Sequence, residues 1–514
     1  MTRPFCPTWV GIACYYSSPL IKDCNLVGYD YAFQSGRIDY TGIDIINPNG
    51  KLVIESCRIA DFNGSGITFE GDVTFEDVNI EINNCLLSGV HTEFCAISIT
   101  GYPTRGTLQI NNSTISNFGG GGISVAGIPD GVVDLDLEVN SCHIEGNING
   151  LGGGIAWSST NNNTMLVSRC NLIGNAAFDM GGGIYSTGSM ARIEDCNIIG
   201  NIAGYKGGGI YCSGGHSTIK NCRIENNIEG YTSEDPGYGG GGVWGSYVDA
   251  NHCIIRGNKA DGYGGGIFAY DANLINCVIN ENQAGGEGGG LLIDYESYLK
   301  NCTIRNNEAN GLGGGAYFGD GPINVTNCIF WGNADTEDTP GYQRHHQIYC
   351  LYPYSNSVNF RNCDIERTSV NAFYVFDDNI IDDENNPDLN IIGNNLGGNI
   401  HSDPCFADDY HLDENSPCIN AGNNSYVDWA YDIDGDNRIL NAIVDIGADE
   451  VRGDGGIYFP DYNFDNFVNF LDFAIFANAW MTVNPSISLD DDNDVDIDDL
   501  KIFCDHWLTY TDKF

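Results

Sequence analysis

The 514-residue sequence has no run approaching the roughly 18 apolar residues of a membrane-spanning helix, so it contains no candidate for one. Its start, Met1-Thr2-Arg3-Pro4-Phe5-Cys6, carries no apolar signal stretch. Basic residues are scarce, 22 Lys and Arg against 69 Asp and Glu, giving a net charge of −47. Nucleic acid and anionic membrane surfaces are bound through Lys/Arg patches, so this balance argues against both as partners. It favours cations such as Ca²⁺, or neutral ligands. Disorder is also excluded, because 42% hydrophobic and 11% aromatic residues are too many for an acidic disordered chain. Glycine is abundant, 68 residues, yet has no collagen period, which leaves many turns or a repeat.

The 20 cysteines first suggest a disulfide framework, but their spacing does not. Cys142, Cys170, Cys196, Cys222, Cys253, Cys277, Cys302 and Cys328 follow one another at 28, 26, 26, 31, 24, 25 and 26 residues. The series extends back through Ser113, Cys85, Cys57 and Cys24, and forward to Cys363. A period near 26 is the mark of a repeat architecture. Each unit reads Cys-x-Ile-x-x-Asn, a variable turn, Gly-Gly-Gly-Ile, and a polar stretch back to Cys. The Asn column runs through Asn147, Asn175, Asn201, Asn227, Asn258, Asn282, Asn307 and Asn333.

Cys and Ile two apart share one face of a strand. The apolar pieces are short, β-branched and bounded by Gly and Asn, which favours strands over helices. Triple Gly would cost a helix about 1 kcal/mol per residue against Ala. The pattern predicts an all-β, right-handed parallel β-helix with one coil per unit and like residues stacked about 4.8 Å apart. Thirteen ladder positions between 24 and 363 imply 13 coils. Cysteine and isoleucine should fill the interior, asparagine should form amide ladders at a bend, and glycine should turn the next corner. The ladder cysteines are expected to be buried thiols rather than disulfides, since a column offers each the same partner above and below.

These repeats resemble the parallel β-helix repeats of bacterial extracellular proteins, a superfamily with pectate-lyase-like and polygalacturonase-like enzymes. Ile-x-x-Asn followed by Gly-Gly-Gly-Ile also resembles the repeats of polymorphic outer-membrane adhesins. The likeness covers about residues 20–400 and sets the first domain at 1–400. Residues 401–454 carry Asp403-Pro404-Cys405-Phe406, Ser416-Pro417-Cys418-Ile419, Asp432-Ile433-Asp434-Gly435-Asp436 and Val444-Asp445-Ile446-Gly447-Ala448-Asp449-Glu450. This segment resembles the choice-of-anchor closing module of secreted β-helix proteins. A cap is physically required, since an open last coil exposes strand edges. Cys405 and Cys418 either pair across this cap or stay as thiols, and Asp432, Asp434 and Asp436 form either a Ca²⁺ loop or a solvated turn.

Residues 455–514 hold a motif duplicated at an offset of 27. The first copy offers Asp461, Asn463, Asp465, Asn469 and Asp472, the second Ser488, Asp490, Asp492, Asp496 and Asp499. Oxygen side chains at loop positions 1, 3, 5, 9 and 12 fit the shell of Ca²⁺. Phe473, Phe476 and Trp480, then Leu500, Phe503 and Trp507, recur at helical spacing and can pack against each other. The module resembles a type I dockerin, a small α-helical Ca²⁺-binding domain. It departs at loop position 6, Asn466 and Asn493 rather than Gly. Ser488 also stands where a carboxylate is usual, and the recognition pairs are Phe470-Leu471 and Ile497-Asp498. The resemblance implies a cohesin-like partner, and with the other modules an extracellular or cell-surface protein. Read with the first coil near Cys24, the bare start then implies a trimmed N-terminus.

Candidate chemistry gathers on one flank. The second position beyond each glycine cluster reads Tyr185, Tyr211, Trp244, Phe268, Leu292 and Tyr317. Stacked on an exposed strand face, these would form an apolar strip on which sugar rings stack; the alternative is that turns fold over and bury it. Tyr211, Trp244, Phe268 and Tyr317 are the expected polysaccharide contacts. Insertions from Glu229 to Tyr238 and from Asp335 to Cys350 should wall a groove over the strip. Asp271, Asp294 and Asp320 follow it on consecutive coils, with spacings of about 5 and 10 Å that bracket those of retaining and inverting glycoside hydrolysis. They could equally hold Ca²⁺ for a lyase with Arg344 or His345 as base. Asp294 lies four residues after its last Gly, the others five, so one acid should face elsewhere. A polysaccharide-binding or -cleaving protein is the leading expectation, a non-catalytic adhesin or scaffold its rival.

Overall fold

The computed structural model describes residues 9–451 except 16–18, 28–39, 47–49, 63, 72–74, 90–93, 102–103, 127–133, 160–162, 189, 231–238, 337–346, 352–357, 367–372, 375–393 and 441–442, together with 470–482, 495–505 and 507. The chain divides into two compact units, Met1–Ser402 and Asp403–Phe514.

The first unit is a parallel β-solenoid whose coils stack into three sheets. Each ladder cysteine is followed by a short strand, from Asn25–Val27 to Asp364–Ile365, and these stack into a 13-stranded sheet. Each ladder asparagine is followed by another, from Ile148–Leu151 to Ala334–Asp335, in an 8-stranded sheet. The strands between the glycines and the next cysteine form a 25-stranded sheet. Register is strict where the repeat is strict: Ile184, Ile210, Val243, Ile267, Leu291 and Ala316 lie in one column.

The interior follows from period 2. Ile198 and Ile224 are fully buried beside buried Cys196 and Cys222. Burying one such aliphatic side chain contributes roughly 1.5–3 kcal/mol, and every coil repeats it. The ladder cysteines from Cys57 to Cys363 are buried free thiols. Cys196 Sγ donates to the carbonyl of Glu194 at 3.1 Å and lies 3.5 Å from that of Val167 in the preceding coil. Burial pushes the Cys85 thiol up to about 11, which keeps it protonated and unreactive at neutral pH. Cys405 and Cys418 form no disulfide: the first is exposed and the second buried.

The corners divide the work. Asn175 Nδ2 donates to Asn201 Oδ1 at 3.0 Å, Asn201 to Asn227 at 3.0 Å, and Asn227 to Asn258 at 2.9 Å. The same Oδ1 of Asn201 accepts the Asn175 backbone N–H at 3.0 Å, and Asn201 Nδ2 reaches the Leu172 carbonyl at 3.0 Å. A second corner lies just before each cysteine, where Asn84, Asn221, Asn276 and Asn301 adopt φ of 54°, 51°, 50° and 50°. Left-handed backbone at a non-glycine position favours Asn, which explains the Asn-Cys dipeptides of the repeat. At the glycine cluster, Gly207 takes φ +64°, and a Cβ on Gly209 would press on the Gly242 carbonyl and the Asn227 amide.

The second unit has little regular structure before its helices, a 3₁₀ turn at Asn424–Tyr426 among the described residues. Carboxylates hold it in place of a ladder. Asp432 Oδ1 accepts the N–H groups of Asp434, Gly435 and Asp436 at 3.0, 3.0 and 2.8 Å, and its Oδ2 that of Glu450 at 3.0 Å. Asp445 accepts from Asn420 and Val451 at 2.6 and 2.8 Å, while Glu450 accepts from Asp445 N–H at 2.8 Å. Buried Arg438 pairs with Glu450 at 3.5 Å and donates to the Gly447 carbonyl. Helix α1, Phe470–Asn478, and helix α2, Ile497–Asp505, bring buried Phe476 and Phe503 to 5.2 Å between ring centroids. Trp507 adds an edge contact to Phe473 at 6.2 Å, and Met481 N–H to the Val495 carbonyl at 2.6 Å ties the two halves together.

Candidate functional site

The aromatic column stands in register: Tyr185, Tyr211, Trp244, Phe268, Leu292, Tyr317 and then Tyr349 are opposite one another on successive coils. Tyr211 and Trp244 stack at 4.7 Å, Trp244 and Phe268 at 5.9 Å. The column is covered, however. Trp244 is 4% exposed, Phe268 6% and Tyr211 8%, and Tyr317 is half-buried. Tyr270 lies edge-on against Trp244 and Phe268 at 5.9 and 5.7 Å, and Lys206 Nζ sits 4.5 Å over the Trp244 ring. The strip is therefore an external second core, with Met180 and Tyr263 also packed on it, rather than an open floor. Strand residues Tyr270 and Met180 and turn residues Lys206 and Tyr263 close over it, because a flat aromatic surface of this size gains more from burial than from water.

What remains open lies three residues further along each coil. Tyr247 follows Trp244 by three, Asp271 Phe268, Tyr295 Leu292, and Asp320 Tyr317. His216, Tyr247 and Asp271 are opposite one another. Tyr295 N–H bonds the Tyr270 carbonyl at 2.7 Å, which sets Tyr295 level with Asp271. Tyr247 is 42% exposed and Tyr295 50%, with His216 against Tyr247 at 4.7 Å and Tyr270 against Tyr295 at 6.0 Å. Sequence reasoning singled out the acids of this column and missed its tyrosines. The common +3 spacing was the available signal.

The three acids part company as their unequal spacing predicts. Asp294 N–H bonds the Ala269 carbonyl at 3.2 Å, placing it one step short of Asp271 and beside Gly319, where any Cβ would collide with its carboxylate. Burial, then repulsion from Asp320, raises the Asp294 carboxyl above its ordinary value. Asp271 is raised by burial and by Glu296, against the pull of His216. Asp294 thus groups with Asp320, and Asp271 with His216 and Glu296. Arg344 and His345, the expected bases, lie outside the described residues, as do residues 231–238 and 337–346 of the insertions.

Both insertions are rooted on buried acids. In the column of the 8-stranded sheet, Ala203 faces Glu229 and Ala309 faces Asp335. Glu229 is fully buried, accepts the Gly262 N–H at 3.2 Å, and is pushed up to about 7 by burial.

Of the expected Ca²⁺ ligands, Asp461, Asn463, Asp465, Asn469, Ser488, Asp490 and Asp492 lie outside the described residues. Asp472 is buried in the first turn of α1. Asp496 immediately precedes α2 and Asp499 lies within it. Asp432 is buried and accepts four backbone N–H groups, which shapes the 432–436 turn.

Parallel strands stacked in three sheets around a continuous thiol and aliphatic column define the class: a parallel β-solenoid. A family model described as the right-handed β-helix region matches residues 131–313 and 249–403, together more than half of the chain, and the chain belongs to that family. No curated protein matches it.

Proposed function

We propose that this β-helix protein works at or outside the cell surface, binding polysaccharide along the exposed His216–Tyr247–Asp271–Tyr295 column and anchored by Ca²⁺ through its C-terminal helix pair. The observation that carries the reading is the alternation of exposed tyrosines and an acid on one straight, rigid line. Tyrosine offers an apolar face to a sugar ring and a hydroxyl to its rim, and carboxylates accept hydrogen bonds from sugar hydroxyls. A β-helix spaces these groups at about 4.8 Å, close to the scale of one sugar residue, so a chain laid along the axis meets the same chemistry repeatedly. The one-step offset of Asp294 from the register of Asp271 favours binding over cleavage. In the second unit, the matched aromatics of α1 and α2 and the duplicated acidic loops support a Ca²⁺-held module, whose partner would be a cohesin-like protein.

The test is a panel of acidic and neutral polysaccharides run by affinity electrophoresis against the full chain. Tyr247→Ala with Tyr295→Ala should weaken retention at least about tenfold while leaving the thermal midpoint unchanged. Retention equal to wild type sinks the binding reading. Release of reducing or unsaturated ends, lost in Asp294→Asn, would instead establish catalysis.

A further inference from the structure

The second unit holds an imidazole set among carboxylates, apart from the duplicated acidic loops. His411 Nδ1 faces both oxygens of Asp408 at 2.8 and 2.7 Å, and its Nε2 faces Asp434 Oδ2 at 3.0 Å. Asp449 completes the group: one ligand atom from each of His411, Asp434 and Asp449 lies within 4.8 Å of the others. The elements that bring them together are fixed independently. Asp449 is 6% exposed and held by the Leu412 N–H at 2.9 Å. Tyr410 OH donates to Asp434 Oδ1 at 3.0 Å, which turns Oδ2 toward the ring, and the Tyr410 ring lies 4.1 Å from that of His411.

We propose that His411, Asp434 and Asp449 form a site for a divalent first-row transition cation, of which Zn²⁺ is the reference, with Asp408 as the orienting carboxylate behind the imidazole. The chemistry of the donors selects the ion. Imidazole suits Zn²⁺ and its neighbours, whereas Ca²⁺ takes oxygen alone. A tetrahedral ion with ligands at about 2.0–2.2 Å holds them roughly 3.3–3.5 Å apart. The Nε2 to Oδ2 separation already falls near that, and the half-exposed Asp434 and His411 side chains can supply the remaining closure. Metal-bound histidines commonly present their other nitrogen to a carboxylate, the relation Asp408 has to Nδ1. Charge points the same way. Three carboxylates around one imidazole carry −3, which a proton on the ring reduces only to −2 and a dication to −1. With three protein ligands, the fourth position is left for water or for an oxygen of a bound molecule.

The experiment uses the full chain with exposed thiols blocked and Ca²⁺ in excess, so that the duplicated loops do not compete. Zn²⁺ is titrated calorimetrically and Co²⁺ optically. One equivalent of Zn²⁺ should bind, with at least a hundredfold loss of affinity in His411→Gln. Asp408→Asn should keep the stoichiometry and weaken binding about 10–100-fold. The Co²⁺ complex should absorb in the visible and lose that band in His411→Gln, whose metal-free thermal midpoint should match wild type. Folded wild type without a Zn²⁺ equivalent, or His411→Gln binding as wild type does, overturns the site. In the first case His411 is simply an imidazolium between carboxylates.

Discussion

At the scale of the residue, the fold is set by a few side chains that each satisfy neighbours on two coils. Asn227 accepts from the Asn201 amide and backbone, and donates to Asn258 and to the Ile198 carbonyl. Asn227→Ala leaves buried donors of Asn201 and the Ile198 acceptor without partners. It should therefore cost about 2–4 kcal/mol in denaturant unfolding, far more than an exposed substitution such as Arg223→Ala. Glu229 titrates the other way from a salt-bridged acid. Its folded value of about 7 is above the ordinary 4.5, so the stabilising contribution is full below 4.5 and lost as pH rises through 7. Wild type should lose roughly 1–3 kcal/mol more than Glu229→Gln between pH 4.5 and pH 8, read from denaturation midpoints across that range. Equal slopes would place Glu229 in water. The Asn and Cys columns were legible because each side chain recurs in every unit. The left-handed residue before each cysteine was harder to read, because Ser56, Arg169, Asp195 and His252 stand there as well as Asn.

At the scale of the element, burial reverses what the strand pattern alone suggests. Alternation placed Trp244 and Phe268 on the outward side of their strands, and they are on it. Whether an outward side meets water depends on what lies over it: Lys206 and Tyr263 from the turns before the glycine clusters, and Tyr270 from the strand of Phe268 itself. Trp244→Ala should accordingly act on stability, by about 3–5 kcal/mol, and leave polysaccharide retention per folded molecule unchanged. The helix pair makes the complementary case. A fixed offset of 27 was enough to foresee that α1 and α2 would pack Phe476 on Phe503, because like spacing on two helices presents like faces. Hydrogen exchange on the full chain tests the ion. Chelating Ca²⁺ should deprotect the amides of 470–478 and 497–505 and leave those of 190–300 as they were. Unchanged protection in the helices would remove Ca²⁺ from the account of this module.

At the scale of the molecule, the first unit is one supersecondary motif repeated until its interior becomes continuous, and each coil is stable because its neighbours cover it. That is why a period of 26 carried so much of the fold, and why the second unit carried so little: residues 403–451 are held by one-off bonds from Asp432, Asp445 and Glu450 that no periodicity announces. The same contrast separates the sites. The proposed polysaccharide line can be read along a column, whereas His411, Asp434 and Asp449 meet only through folding. All of this rests on ladder side chains stacking in a sealed interior. Alkylation of the native chain with N-ethylmaleimide, mapped by mass spectrometry, tests it most directly. Cys142, Cys170, Cys196, Cys222, Cys253, Cys277, Cys302 and Cys328 should stay unmodified until denaturant is added, while Cys405 and Cys504 react at once. Ladder cysteines that react as fast as Cys405, or that emerge joined in disulfides, would contradict the stacked column.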